Sequence, residues 1–536
     1  MSSTTQTATA PALPTPEFDL LDMNNYTLAK LPVLKPTRIS AIMKAAGLPV
    51  AALVFSLLHF QAFTIQGFEN QYLMEPSYLY SAVAIFTAAL ILWITESIPS
   101  YLTSFMAIVA IILTNVLTMR QAFAFMGEPV MILNIASFAM ASGLVATGVA
   151  KRLALKLVTR FIGNINTVFF AFIAVNMILG AFISATSAKT ALILPIFMVC
   201  SAVFGATGGE YRNNVGKNMV LQNLAANNIS AGGFMTGASA NLVAAMLIQD
   251  ALALQGAGAS FYYADWLLIM WPVSAIQAAF AWWVGTRVIF PISKEDAKPK
   301  LEGGKERLQA ELDKLGPIKA SEIRATIIFL AVLAFWATDR FHGIRAEVIA
   351  VMGATVMLMP ALAKRIPRIG VINWNDVDIP WHMLLFSWGA YAIGGVINRT
   401  NVMGVFTYWL FDALGVTEAT PKLVLFMGLS AFFGLMSLVN QSKTARTMIM
   451  FPLLIATAVQ FGWCIVGFTL PMTVFIMTVY ALYFNSKPAN ISYLTAMYTT
   501  GESFKFGMVN MLFVWLLIVP WTHFVMPLFG YASQLW

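Results

Sequence analysis

Cysteine and histidine are almost missing from this 536-residue chain, which holds two of the first (Cys200, Cys464) and four of the second (His59, His342, His382, His523). Each cysteine lies inside an apolar stretch with no second cysteine or histidine at ligand spacing, so neither a disulfide nor a metal site is expected, and buried packing explains both. The histidines are scattered, and no H-E-x-x-H, P-loop or G-x-S-x-G pattern occurs, which removes the usual residues of metallohydrolase, nucleotide and serine-hydrolase chemistry. Charge is the third scarcity. Only 10% of residues are charged against 59% hydrophobic, a balance no water-soluble globule carries. The formal charge of +8 does not point to nucleic acid, because the basic residues fall mainly in short loops between apolar runs, where they orient a membrane protein.

Apolar runs near the ~20 residues needed to cross a bilayer recur from Pro49 to Leu528, and roughly ten to twelve spanning elements are expected from them. Residues 1–44 open on a Ser/Thr/Ala/Pro-rich stretch and reach their first basic residue at Lys30, unlike a secretory signal; they read as a disordered cytoplasmic tail. Lys30, Lys35, Arg38 and Lys44 precede the first span and Glu69 and Glu75 follow it, which puts the amino terminus on the cytoplasmic side of a cytoplasmic membrane. Residues 45–290 form a first membrane half, 291–324 a mixed-charge cytoplasmic linker and 325–536 a second half. Within the linker, Leu301, Leu308, Leu312 and Leu315 recur at helical spacing before Gly316-Pro317. They fit an amphipathic helix lying on the membrane face, packing on a partner, or simply solvated.

Two gapped copies of one pattern occupy opposite halves. Ala185-Thr186-Ser187-Ala188-Lys189 precedes Pro195, and Ser442-Lys443-Thr444-Ala445-Arg446 precedes Pro452 at the same distance. Unwound backbone at membrane depth survives only where it lines a polar cavity, so paired breaks point at a transporter's binding site. Other features repeat in the same order. Residues 129–149 resemble 380–402, and Gly237-Ala238-Ser239-Ala240-Asn241 answers Ser486-Lys487-Pro488-Ala489-Asn490. The first motif segment lies between the basic clusters Lys151–Arg160 and Arg212–Lys217, whereas Asp412 and Glu418 precede the second. Under the positive-inside rule the two enter from opposite sides, which makes an inverted repeat.

These residues resemble the divalent anion:sodium symporter (DASS) family of dicarboxylate, citrate and sulfate carriers, over roughly residues 80–536. Thr95-Glu96-Ser97-Ile98-Pro99 is similar to the family's T-E-A-I-P, the two motifs take its paired S-N-T positions, and Asn241 and Asn490 close its T-P-P-N-like loops. The resemblance implies an all-α, polytopic inverted-repeat transporter and a homodimer, each subunit with a scaffold and an elevator-type transport domain. It also implies two re-entrant hairpins with the S-N-T motifs at their tips, about 165–205 and 422–461. Periodicity alone does not separate such hairpins from paired full spans.

The departures from that pattern carry the functional expectation. Ala185-Thr186-Ser187 and Ser442-Lys443-Thr444 lack oxygens that a sodium shell needs and add a fixed cation, so no metal is expected. Lys189 and Arg446 follow at equivalent positions, and Lys487 takes a place resembling a substrate-contacting threonine. Intramembrane charges cost ~2.5–3.5 kcal/mol on insertion scales and are functional by default. The alternative for Lys189 and Arg446 is a brace against backbone carbonyls or against acids such as Glu96 or Asp250. Helix amino termini after each break add partial positive charge suited to a carboxylate. The expected substrate site is Thr186, Ser187, Lys189, Asn241, Ser442, Lys443, Thr444, Arg446, Lys487, Pro488 and Asn490. The expected function is exchange of small di- or tricarboxylates, or a similar divalent anion, without sodium and without a cofactor. A proton- or sodium-coupled symporter, a channel and an integral membrane enzyme are the other readings.

Overall fold

The computed structural model describes residues 19–32, 38–62, 76–256, 261–360, 369–400 and 402–536. Glu69, Glu75, Lys35 and the first 18 residues of the expected tail lie outside them. The described residues form helices, short 3-10 or π turns and connections, with one isolated β-bridge between Gly208 and Tyr211.

After an opening helix, Arg38–His59, the two halves run through one order of elements. Pro76–Thr95 and Ser100–Leu113 correspond to Ala320–Ala337 and Ala346–Leu358. Pro129–Thr147 and the short Val149–Phe161 correspond to Trp381–Thr400 and Val402–Ala413. Next come two helical hairpins: Ile165–Phe182 with Thr186–Val203 (hairpin 1) and Lys422–Met436 with Lys443–Gln460 (hairpin 2). Each hairpin is followed by a helix that breaks and restarts. In the first half Asn214–Gly232 restarts as Ser239–Leu254; in the second Ile465–Thr469 continues as the 3-10 turn Leu470–Ile476 and restarts as Lys487–Tyr493. Tyr263–Val284 and Thr500–Pro520 close the halves.

The halves pack reciprocally, as a twofold-related pair must. Ser100–Leu113 packs on Trp381–Thr400, and its counterpart Ala346–Leu358 packs on Pro129–Thr147. Each restarted helix packs on the second arm of the opposite hairpin: Ser239–Leu254 on Lys443–Gln460, and Lys487–Tyr493 on Thr186–Val203. Neither half buries its own hairpin alone.

Local chemistry explains the boundaries. Gly148, at φ +81°, ends Pro129–Thr147 in the left-handed conformation that favours glycine and turns the chain into Val149–Phe161. That helix gathers the basic cluster Lys151, Arg152, Lys156 and Arg160 along an amphipathic surface. Asn164 caps the first hairpin arm by accepting from Asn166 N–H at 2.9 Å. Among the described residues seven helices are long and apolar enough to cross a membrane, fewer than the ten to twelve expected. Breaks shorten the rest. The hairpin arm Lys422–Met436 and the restarted helix Ser239–Leu254 fall below crossing length.

Two expectations about the segments outside the membrane need correction. The tail does not run structureless to residue 44: Met23–Tyr26 and Leu28–Lys30 are 3-10 turns, a helix starts at Arg38, and Met23 and Tyr26 are buried against the second arm of hairpin 1. Tyr26 donates its hydroxyl to Leu20 O at 2.8 Å, and Asp19 pairs with Arg307 of the linker at 2.9 Å. The linker's leucine spacing does make a helix, Gly304–Lys314, but it docks on its own chain, with Leu308 fully buried against Val149–Phe161 and the second arm of hairpin 1. Arg152 clamps it there. Its Nε reaches Glu322 at 2.6 Å and its Nη1 donates to Gly316 O at 2.8 Å, satisfying carbonyls just past the helix end. The linker ends before residue 324, because Ala320–Ala337 is already helical.

Candidate functional site

The two tips meet. Thr186 and Lys443 hold the first position of their helices, and the Lys443 ammonium donates to Thr186 Oγ1 at 3.3 Å and to Asn228 Oδ1 at 2.7 Å. Equivalent residues of the two repeats therefore touch across the pseudo-twofold axis. Thr186, Ser187, Ser442 and Lys443 are half-buried, while Ala188 and Gln441 beside them are exposed, so the tips border an opening. Two 18-residue helices start there, and their free N–H groups and positive dipole ends favour an anion. Tip 2 is the better built. Ser442 accepts from Ala445 N–H at 3.2 Å and is itself held by Asn440 Oδ1 at 2.9 Å, whereas Ala185 at the matching place has no oxygen to offer.

Lys189 and Arg446 take the bracing alternative. Both are 0% exposed. Lys189 Nζ donates to Asn227 O at 2.9 Å and Ser230 Oγ at 2.8 Å; Arg446 donates to Asn440 O at 2.7 Å and Ile476 O at 2.9 Å. Lys189 thus reaches one carbonyl and one hydroxyl in the last turns of Asn214–Gly232, and Arg446 one carbonyl at the end of the turn Leu470–Ile476 and one in the loop of its own hairpin. Neither Glu96 nor Asp250 serves as their partner. Among the described residues no ion pair within 4.0 Å involves Lys189, Lys443 or Arg446.

Asn241 is a staple for the first break. It is fully buried, and its Nδ2 donates to Ala231 O and Phe234 O, both at 2.9 Å, while Trp266 Nε1 takes Gly232 O at 3.0 Å. A side chain on Gly237 would place its Cβ 2.2 Å from Ala231 O, so the loop closes only on glycine. In the second break Ser486 donates to Val479 O at 3.1 Å, Pro488 is buried and Asn490 half-buried, while Lys487 is exposed. Thr444, 8% exposed, lies behind the tip rather than on it.

What the motifs do not reveal is the helix Asn214–Gly232. Asn218, Gln222, Asn223, Asn227 and Asn228 are all buried along it. Asn227 Nδ2 donates to Thr186 O at 2.8 Å and bonds Thr190 Oγ1, so neighbouring amides hold the two tips, one each. Asn176 on the first hairpin arm donates to Asn223 Oδ1 at 3.1 Å. The signal was present in the sequence as amides recurring at helical spacing within an otherwise apolar stretch.

Comparison with known proteins fits this geometry. The sodium:sulfate symporter transmembrane region model matches residues 72–530. The chain is 23% identical over 499 residues to the sodium-dependent dicarboxylate transporter SdcS of Staphylococcus saprophyticus, covering 90% of this chain and 92% of that one. It is 24% identical to the putative malate transporter YflS of Bacillus subtilis, over 64% of this chain and 67% of the relative. The fold is shared with the Alcanivorax borkumensis YdaH transporter (TM-score 0.50, 13% identity, 92% and 99% of the two chains). It is also shared with MtrF of Neisseria gonorrhoeae (TM-score 0.53, 11% identity, 93% and 96%). A family match across nearly the whole membrane region, joined to reciprocal repeats whose hairpin tips meet at a polar opening, makes this multi-pass membrane chain a transporter of the divalent anion:sodium symporter family.

Proposed function

We propose that the chain is a sodium-independent secondary carrier that exchanges small di- or tricarboxylates across a cytoplasmic membrane, its amino terminus inside. The carrying observation is the Lys443 ammonium, seated on Thr186 and Asn228 with no ion pair among the described residues. A fixed cation there takes over the charge that a coupling ion brings in a sodium-driven relative. Thr186, Ser187 and Ser442 orient the carboxylates from the tips, Thr444, Pro488 and Asn490 shape the wall behind them, and Lys487 supplies a second exposed ammonium. Lys189, Arg446 and Asn241 hold the breaks in place and add field rather than contact. The working unit is a homodimer whose hairpin-bearing domain moves as an elevator against the rest.

Exchange rather than uniport follows from the charge. An empty site must carry unpaired cations through a low-dielectric barrier at a cost of several kcal/mol, and ~1.4 kcal/mol already slows a step tenfold. Reorientation is therefore fast only with an anion bound. Cation-coupled symport is the competing reading, favoured by the name of the staphylococcal relative. Counterflow in proteoliposomes, with a panel of dicarboxylates, tricarboxylates and sulfate, separates the two. Uptake is expected to be equal in sodium, potassium and choline buffers and to need internal substrate; a several-fold sodium dependence would sink the proposal.

A further inference from the structure

Beyond the tips, one buried side chain decides whether the Lys443 charge is available. Asn228 is 0% exposed, and its two amide atoms are both committed: Nδ2 donates to Leu224 O at 2.9 Å, which leaves Oδ1 to accept the Lys443 ammonium at 2.7 Å. The amide cannot turn over, since that would aim N–H groups at a cation. Its neighbour Asn227 serves tip 1 through Thr186 O, so one helix grips both tips with groups that carry no charge.

We propose that Asn228 is the positioning residue that makes the carrier an obligatory exchanger, an inference that rests on the fixed-charge reading above. An ammonium in a low-dielectric site needs a strong acceptor, and both an amide oxygen and a carboxylate oxygen fill that place sterically. They differ in what they leave behind. A carboxylate cancels the charge, so the empty site can cross and the anion loses its counter-charge; an amide holds the ammonium in place and leaves its full charge for the anion. Asn228 touches the lysine rather than the reacting anion, and its effect is on the empty state. The remaining cations add to the same demand, because Lys189 is also held only by neutral oxygens.

The test is Asn228→Asp in proteoliposomes preloaded with labelled malate, with efflux measured into buffer with and without external malate. The expected result is at least a tenfold rise in efflux without external malate relative to exchange, together with at least tenfold weaker malate binding. Asn228→Ser keeps an uncharged oxygen and is expected to stay an obligatory exchanger, which a role in packing alone would not distinguish from the aspartate variant. If Asn228→Asp does not purify as a monodisperse protein, Thr186→Asp brings a carboxylate to the same ammonium from the half-exposed tip and is expected to leak in the same way. Aspartate variants that keep the wild-type ratio of exchange to efflux overturn the role of Asn228. Wild type that releases malate equally fast under both conditions overturns the exchange reading itself, whatever the variants do.

Discussion

At tip 1 the first helical residue is Thr186 and the one before it is Ala185; at tip 2 those places hold Lys443 and Ser442. Behind the tips the two repeats agree: Lys189 and Arg446, four places after Ala185 and Ser442, are both fully buried, and each donates to one carbonyl of its own repeat's broken helix. The basic residues that match are structural braces, and the two without a match, Lys443 opposite Thr186 and Lys487 opposite Ala238, are the less buried ones. A duplicated fold that must close two related breaks places a buried cation at the same position in both. The duplication diverges at the tips, where the proposed anion site lies.

The largest way to strain this comparison is to remove a brace. Arg446→Met leaves Asn440 O and Ile476 O without their donor, and a buried group left unpaired costs ~1–3 kcal/mol, so a loss of about 3 kcal/mol is expected. It appears as a marked fall in melting temperature in detergent. Lys487→Ala, on an exposed side chain, is expected to change stability by less than ~0.5 kcal/mol. Equal melting of the two variants would mean that Arg446 is no brace.

Removing Lys443 should cost less stability, because one buried acceptor, Asn228 Oδ1, loses its donor against two for Arg446, and it should weaken binding. A charge-assisted hydrogen bond is worth ~1.5–3 kcal/mol, so Lys443→Ala is expected to lower anion affinity at least ~tenfold, read by counterflow or by calorimetry. Thr186→Ala, which loses a neutral contact of ~0.5–1.5 kcal/mol, is expected to fall short of that. Reversal of this order would place the anion on tip 1.

Much of this was legible in the sequence. The paired breaks, the order of elements and the membrane class rest on proline, glycine and hydropathy patterns that local physics fixes, and hairpin 1 spans Ile165–Val203, close to the expected 165–205. The assignment of roles to single cations was not legible. Spacing put Lys189, Lys443 and Arg446 near one centre, but whether a side chain points at a carbonyl or at an opening depends on the broken helices, which lie distant in sequence. The docking of residues 19–32 and of the linker helix was not legible for the same reason: their partners, the second arm of hairpin 1, Arg307 and Arg152, belong to elements distant in sequence. Asn227 and Asn228 carry no charge, and amides at helical spacing are a quieter sign of a buried polar seam than Lys or Arg in an apolar stretch.

The cap difference between the tips gives a smaller effect. Ser442→Ala removes the oxygen that accepts from Ala445 N–H and is expected to cost about 1 kcal/mol, while Ala185→Ser should recover a similar amount at tip 1. Thermal unfolding of both variants checks the pair. Opposite signs are required; loss in both would mean that tip 1 has no room for a cap.

The smallest expected effect concerns the strap on hairpin 1, where the linker helix Gly304–Lys314 docks on Val149–Phe161 and the second arm. Glu311 lies on that helix with Lys314 hydrogen-bonded to it and Lys151 of Val149–Phe161 at 3.5 Å. The Lys314 hydrogen bond, and after it the Lys151 charge, hold its carboxyl below the usual carboxylate range against the opposing effect of burial. A depressed folded pKa means that the unfolded or undocked state binds the proton more readily. The stabilisation is therefore complete above the undocked value near ~4.3 and is lost as pH falls through the lower, docked one. Both lysines are partly exposed, so the gain is at most ~1 kcal/mol. Hydrogen–deuterium exchange over Gly304–Lys314, corrected for the intrinsic rate, is expected to be faster in Glu311→Gln than in wild type at pH 6 and to converge in the two as the pH falls through the lowered, docked pKa. Equal exchange at pH 6 would mean that the strap is held by Leu308 and Arg152 alone, and that hairpin 1 owes its docked linker to packing rather than to this charge.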